Sequence, residues 1–161
     1  MGANTTADGN VAIGGNALRN NTTGTENLAV GRYAGDAITE GNYNIAIGHN
    51  ALTSDTLGSR SVAVGRHALE TQNFTTATSV YNVGIGYNTG RLITTGQENT
   101  LVGGLSGAAT TTGGDNTAVG RSSLESNTTG DRNTAIGRSA LISNTTASNN
   151  TAVGQNALYA T

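Results

Sequence analysis

A five-residue phrase recurs along this chain at a fixed interval. It closes on glycines at 14, 31, 48, 65, 86, 103, 120, 137 and 154, so every interval is 17 residues except one of 21. A constant period with a single insertion is the signature of stacked repeats, in which each repeat forms one structural unit and buries its apolar face on its neighbours. One period reads Asn-x-Ala-[Val/Ile]-Gly-x-x-Ala-Leu-x-x-Asn-Thr-Thr-Gly-x-x. Helix is disfavoured, because a glycine falls inside each short apolar phrase and a second turn signal follows ten residues later. The period predicts strand, turn, short strand, turn: one circuit of a coil. Nine such coils stacked at about 4.8 Å would span roughly 40 Å.

Side chains alternate across a strand. The β-branched fourth position never fails (Ile13, Val30, Ile47, Val64, Ile85, Val102, Val119, Ile136, Val153), and it is expected to face the coil interior as the structural core. The small third position is then expected on a surface where a neighbour packs closely. The first position is Asn in eight repeats and Ser61 in the other; stacked, it predicts a ladder of side-chain amides. Position nine is Leu in six repeats and glycine at Gly35, Gly90 and Gly107. Ile38 and Ile93 compensate two of those glycines. The coil of Gly107 has no evident filler and is expected to pack most loosely. The second position is aliphatic in the first five repeats and Thr in the last four.

Only 35% of residues are apolar, with 24 Gly, no Pro and no Cys. Composition alone would suggest disorder, but disorder does not demand an aliphatic residue every 17 positions. The thin core is expected to be shared between coils and between chains. A net charge of −2 gives no general attraction to nucleic acid or anionic membrane. No apolar run reaches the length of a membrane span, so no membrane insertion is expected of this segment. Residues 1–9 read as a polar lead-in and 10–161 as one repeat domain. Met1 opens no secretory leader, and the chain reads as a segment of a longer polypeptide.

No catalytic constellation emerges, and no cofactor or metal site is expected. His49 and His67 occupy different columns and read as exposed polar positions. The glycines punctuate the repeat, with no Lys to complete a phosphate loop. Candidate ligand contacts come from where the repeats differ. One source is the insertion between Gly65 and Gly86, with Phe74, Tyr81 and Tyr87. Phe74 is read first as a plug for the longer coil, a lone aromatic being more often buried than displayed. The other source is the column after each anchor glycine, which supplies Arg32, Arg66, Arg121 and Arg138.

The phrase Asn-x-Ala-[Val/Ile]-Gly, with the following Ala-Leu and Asn-Thr-Thr-Gly, resembles the head repeats of YadA-like trimeric autotransporter adhesins. It is similar also to repeats of phage tail-fibre proteins. The resemblance covers residues 10–158. It implies an all-β, left-handed parallel β-roll, a solenoid of about nine 17-residue coils, with three rolls side by side in a homotrimer. It implies an extracellular fibre or adhesin-head segment, on a bacterial surface or a phage tail, serving as a rigid shaft or head. Host or prey surface glycans are then candidate partners, and a glycan-binding tip is the alternative function. An ice-binding solenoid is disfavoured, because the strand Thr column fails in five of nine repeats.

Overall fold

A computed structural model describes residues 5–159. Residues 1–4 of the polar lead-in, and Ala160 and Thr161, lie outside the described residues. The rest of the lead-in is seated on the first coil, where the Thr5 amide donates to the Thr22 carbonyl at 3.0 Å and the Asp8 carbonyl accepts from the Glu26 amide at 3.0 Å.

The fold is an all-β parallel solenoid, and the described residues contain no helix. Nine three-residue strands form one parallel sheet: β1 (Val11–Ile13), β2 (Leu28–Val30), β3 (Ile45–Ile47), β5 (Val62–Val64), β7 (Val83–Ile85), β8 (Thr100–Val102), β9 (Thr117–Val119), β10 (Thr134–Ile136) and β11 (Thr151–Val153). The register never slips: Ala12 pairs with Ala29, Ala63 with Gly84, and Ala135 with Ala152. The expected second strand of each coil is absent from most of the stack. Turns take its place, tied coil to coil by backbone hydrogen bonds such as Leu18 N–H to Ala34 O at 3.1 Å. Among the described residues a second sheet forms only at the insertion, where β4 (Gly58–Ser59) pairs with β6 (Thr78–Ser79).

The facing of the strands is the reverse of the sequence expectation. The third position points inward: Ala29, Ala63, Leu101, Ala118 and Ala135 are fully buried. The fourth position points out. Ile13 is 60% exposed, Ile85 40%, Val119 38%, Ile136 41% and Val153 68%, while Val30, Ile47, Val64 and Val102 are half-buried. The physical reason is volume. A 17-residue circuit encloses room for about one large side chain, and position nine already supplies it. Leu18, Ile38, Leu52, Leu69, Ile93, Leu101, Leu124 and Leu141 are all fully buried, one to a coil. A second branched chain from the strand would overfill the same space.

Position nine explains its own alternatives. Leu18, Leu52, Leu69, Leu124 and Leu141 all have φ between 47° and 54°. An L-residue in that left-handed region gives up roughly 1–2 kcal/mol, against about 1.5–3 kcal/mol from fully burying a Leu. Burial wins, but narrowly, so glycine fits the position wherever another residue fills the core. Gly35, Gly90 and Gly107 share this φ, at 57°, 55° and 57°. Ile38 and Ile93 are the fillers of the first two, and Ile38 Cδ1 comes within 3.0 Å of where a Gly35 Cβ would sit. Gly107 is filled too, against expectation. Leu101, the one large residue in the third column, places both Cδ atoms 2.9 Å from the site of a Gly107 Cβ. The Leu has moved from one wall of coil six to the other.

The two glycine columns serve different ends. The anchor glycines have φ of 125° to 139°, where side chains are disfavoured. The second column (Gly24, Gly41, Gly96, Gly113, Gly130) is not in that region. It is glycine because coils touch there: a Cβ on Gly113 would lie 2.6 Å from the Gly130 carbonyl oxygen.

The Asn ladder is present, and it joins backbone to side chain. Asn10 Oδ1 accepts the Asn27 amide at 2.8 Å, Asn27 Oδ1 the Asn44 amide at 2.9 Å, and Asn44 Oδ1 the Ser61 amide at 2.9 Å. It resumes at Asn82 and runs to Asn150. From Asn10 to Asn133, the ladder Nδ2 groups also reach across the coil to the second turn, as from Asn116 to the Gly130 carbonyl at 2.9 Å. Ser61 interrupts the ladder because it has no amide to offer, and buried Gln72 bridges the gap. Gln72 Nε2 donates to Ser61 Oγ at 2.9 Å and to Asp55 Oδ2 at 2.6 Å, while its Oε1 accepts from Asn82 Nδ2 at 2.9 Å.

The core rule makes a compensation test. Ala118→Leu should destabilise the protein by about 1–3 kcal/mol through overpacking. Adding Leu124→Gly recreates the Leu101–Gly107 pairing and should restore most of that loss in urea denaturation. No recovery in the double variant would refute the one-large-residue rule.

Candidate functional site

The sites expected from sequence separate into two groups. Phe74 is buried and offers no ligand contact: it is 6% exposed, its amide donates to Asp55 Oδ1 at 2.9 Å and its carbonyl accepts from the Leu57 amide at 2.9 Å. This is the plug reading. The insertion is taken up beyond it. Residues pair at the usual offset of 17 as far as Asn73, at 20 where Gly58 meets Thr78, at 21 where Val62 meets Val83, and at 17 again where Val83 meets Thr100. Thr75, Thr76 and Ala77 form an exposed loop, and Val80 is buried.

Tyr81, Tyr87, Arg32, Arg66, Arg121 and Arg138 are exposed, as expected. They do not form one site. Arg66 lies over the Tyr87 ring at 5.9 Å and Arg32 over Tyr33 at 4.7 Å, beside the anchor glycines. Tyr81 belongs to the column before the ladder Asn, at the opposite end of the strands. There Arg60 sits between two rings, 5.4 Å from Tyr43 and 5.9 Å from Tyr81, with Nη1 donating to Ser79 Oγ at 2.6 Å. Sequence reading missed Tyr43 and Arg60. The signal was there, since stacking the repeats aligns Tyr43, Arg60 and Tyr81 in that one column.

Between these two edges lies the outward face of the nine-stranded sheet. Its two columns are Val11, Leu28, Ile45, Val62, Val83 and four Thr on one side, and the Val/Ile fourth position on the other. No position in either column is charged. At about 4.8 Å per strand and 3.3 Å per residue, this strip covers roughly 400 Å². An uncharged, largely aliphatic patch of that size is often functional.

The histidines are half-buried rather than exposed. His49 packs edge-on against Tyr33 and His67, with centroids at 6.4 and 5.5 Å. His67 Nδ1 lies 2.8 Å from Glu70 Oε1, and Glu70 also takes Arg91 Nε at 2.9 Å and Asn50 Nδ2 at 3.2 Å. Burial works to raise the Glu70 value, but the bonds from Arg91, His67 and Asn50 outweigh it and hold the carboxyl below its ordinary range. Asp55 goes the other way. Desolvation raises it, against the opposing bonds from Gln72 and the amides of Phe74 and Gly58. No group of three or more His, Cys, Asp or Glu able to hold a metal occurs among the described residues. No protein-family model, curated protein or solved structure matches the chain.

The two carboxyls have opposite linkage to pH. Glu70, depressed in the fold, stabilises above its unfolded value of about 4.3 and loses that as pH falls through the folded value. Asp55, raised in the fold, favours the folded state in acid and loses that contribution as pH rises through its folded value. Glu70→Gln should therefore lower the melting temperature at pH 7 and make the change from pH 7 to pH 4 more favourable than in the parent protein. An unchanged difference between the two pH values would show that the Glu70 network carries no stability.

Proposed function

We propose that this chain is a structural fibre or adhesin-head segment, a rigid trimeric shaft or head for surface attachment, outside a bacterial cell or on a phage tail. In this reading the coils wind left-handed, as in the adhesin heads they resemble, and three chains pack side by side. The carrying observation is the uncharged strip of Val, Ile, Leu and Thr on the outward face of the sheet. Each coil encloses one large side chain, yet leaves one or two further aliphatic residues outside. A neighbouring copy with the same strip would cover them. The function in this reading is mechanical rather than catalytic: Glu70 is held by His67, Arg91 and Asn50 in a structural network.

The strip makes the prediction specific. Light scattering at micromolar concentration should give three times the mass of the chain. Val119→Asp and Ile136→Asp, in the outward column, should reduce the assembly to folded or partly folded single chains, because an unpaired charge would be buried between copies. A monomeric parent protein, or an aspartate variant of unchanged mass and melting temperature, would sink the proposal.

A further inference from the structure

Coil six carries Leu105 where the other coils have Asn, Tyr, His or Ser, with two small alanines in neighbouring columns, and the three positions meet at one place. The second residue after the anchor glycine reads Asn16, Tyr33, Asn50, His67, Asn88, then Leu105, Ser122, Ser139, Asn156. Every member of this column has positive φ, Leu105 at 64° and Asn88 at 54°. Asn tolerates that conformation and Leu does not. The position-nine Leu residues offset the same strain by full burial, but Leu105 is only half-buried and lies outside the core cluster. Its strain has no return in the coil interior.

The fifth residue after the glycine runs Arg91, Ala108, Glu125 through coils five to seven, and the sixth runs Leu92, Ala109, Ser126. Two alanines therefore sit between longer neighbours, and Leu92 is 43% exposed. The result is a notch of about 320 Å³ lined by Leu92, Leu105, Ala108 and Ala109, with Arg91 on one wall and Glu125 on the other. It lies apart from the outward strip of the sheet, which is built from other columns.

The two walls carry opposite charge and are differently committed. Arg91 gives Nε to Glu70, which His67 and Asn50 hold in place; a guanidinium has four further N–H donors. Glu125 belongs to none of the ion pairs among the described residues, which join Arg19 to Asp36, His67 to Glu70 and Arg91 to Glu70. Two coil steps separate the Arg91 and Glu125 backbones by roughly 10 Å. Both side chains can then converge on groups a few ångströms apart.

We infer that this notch binds a small zwitterion with an aliphatic side chain, an amino acid of the leucine or valine type. Its carboxylate meets Arg91, its ammonium meets Glu125, and its side chain lies on Leu92, Leu105 and the two alanines. A ligand of so few atoms in an open notch should bind with a Kd on the order of 1–10 mM.

The test is titration of isotope-labelled protein with L-leucine, followed by amide chemical shifts. Shifts should saturate at Leu92, Leu105, Ala108, Ala109 and Ser126. Glycine, isovalerate and isoamylamine, each lacking one of the three groups, should bind at least several-fold more weakly. Leu105→Asn restores the residue that this column carries in coils one, three, five and nine, so the fold should survive, and leucine binding should be lost. Glu125→Gln should bring leucine down to the affinity of isovalerate. Equal binding of leucine and isovalerate in the parent protein, binding that persists in Leu105→Asn, or no localised shift at tens of millimolar leucine would each overturn the inference. None of these outcomes bears on assembly through the sheet.

Discussion

A side-chain amide that serves two coils at once is what allows so short a circuit to close. The ladder Asn accepts the amide of the next Asn through Oδ1 and spans its own coil through Nδ2 to the second turn, 14 residues on. One residue type therefore sets both the stacking distance and the width of the loop. A net contribution of about 1 kcal/mol per hydrogen bond, repeated at every level, gives the stack a directional element that apolar contact lacks. The repair at Ser61 shows how firmly this is required. Where the amide is missing, a buried Gln72 links Ser61 Oγ to the Asn82 side chain, and Asp55 accepts its remaining Nε2 hydrogen.

Once the ladder fixes the width, the interior volume is fixed with it. The sequence varies the source of the large side chain among positions three, nine and twelve and still fills each coil once. Leu69 reaches towards the space above Gly84 and Gly90, with Cγ 2.9 Å from the site of a Gly84 Cβ. Coil five, which has glycine at both positions, thus shares side chains with its neighbours. Packing of this kind is set by total volume rather than residue identity. It explains why a strict consensus is absent where burial is greatest.

The repeat period, the parallel sheet, the Asn ladder and the inward turn of Phe74 were all legible in the sequence, because each depends on spacing or residue type in a single column. The facing of the strands was not. Alternation assigns residues to two faces but does not say which face is inside, and the usual guide, that the more apolar face is the interior, fails for a coil whose cross-section admits one large residue. Gly84 was the overlooked clue. A third column made of Ala with one glycine describes a wall against which something bulky already packs. Leu101, the one large residue of that column, is the filler for Gly107. The notch in coil six escaped for another reason: it exists only between columns, where Leu92, Leu105, Ala108 and Ala109 become neighbours after stacking.

The reversed facing changes what the aliphatic columns mean. A coil with Val or Ile inside would be a self-sufficient core with a polar exterior. This coil has Ala and Asn on its inner strand face and one Leu or Ile opposite, a small apolar content for a unit of 17 residues. Small cores are marginal in water, and the ladder offsets only part of the entropy of ordering the turns. Meanwhile the strongest β-formers of the chain stand on the exposed side of its nine-stranded sheet, in unbroken register. No charged residue interrupts that face, and Arg and Glu stand at its margins. The distribution is coherent if the outer face of the sheet is itself an interior, completed by other chains. The stability missing inside each coil is then to be found between them.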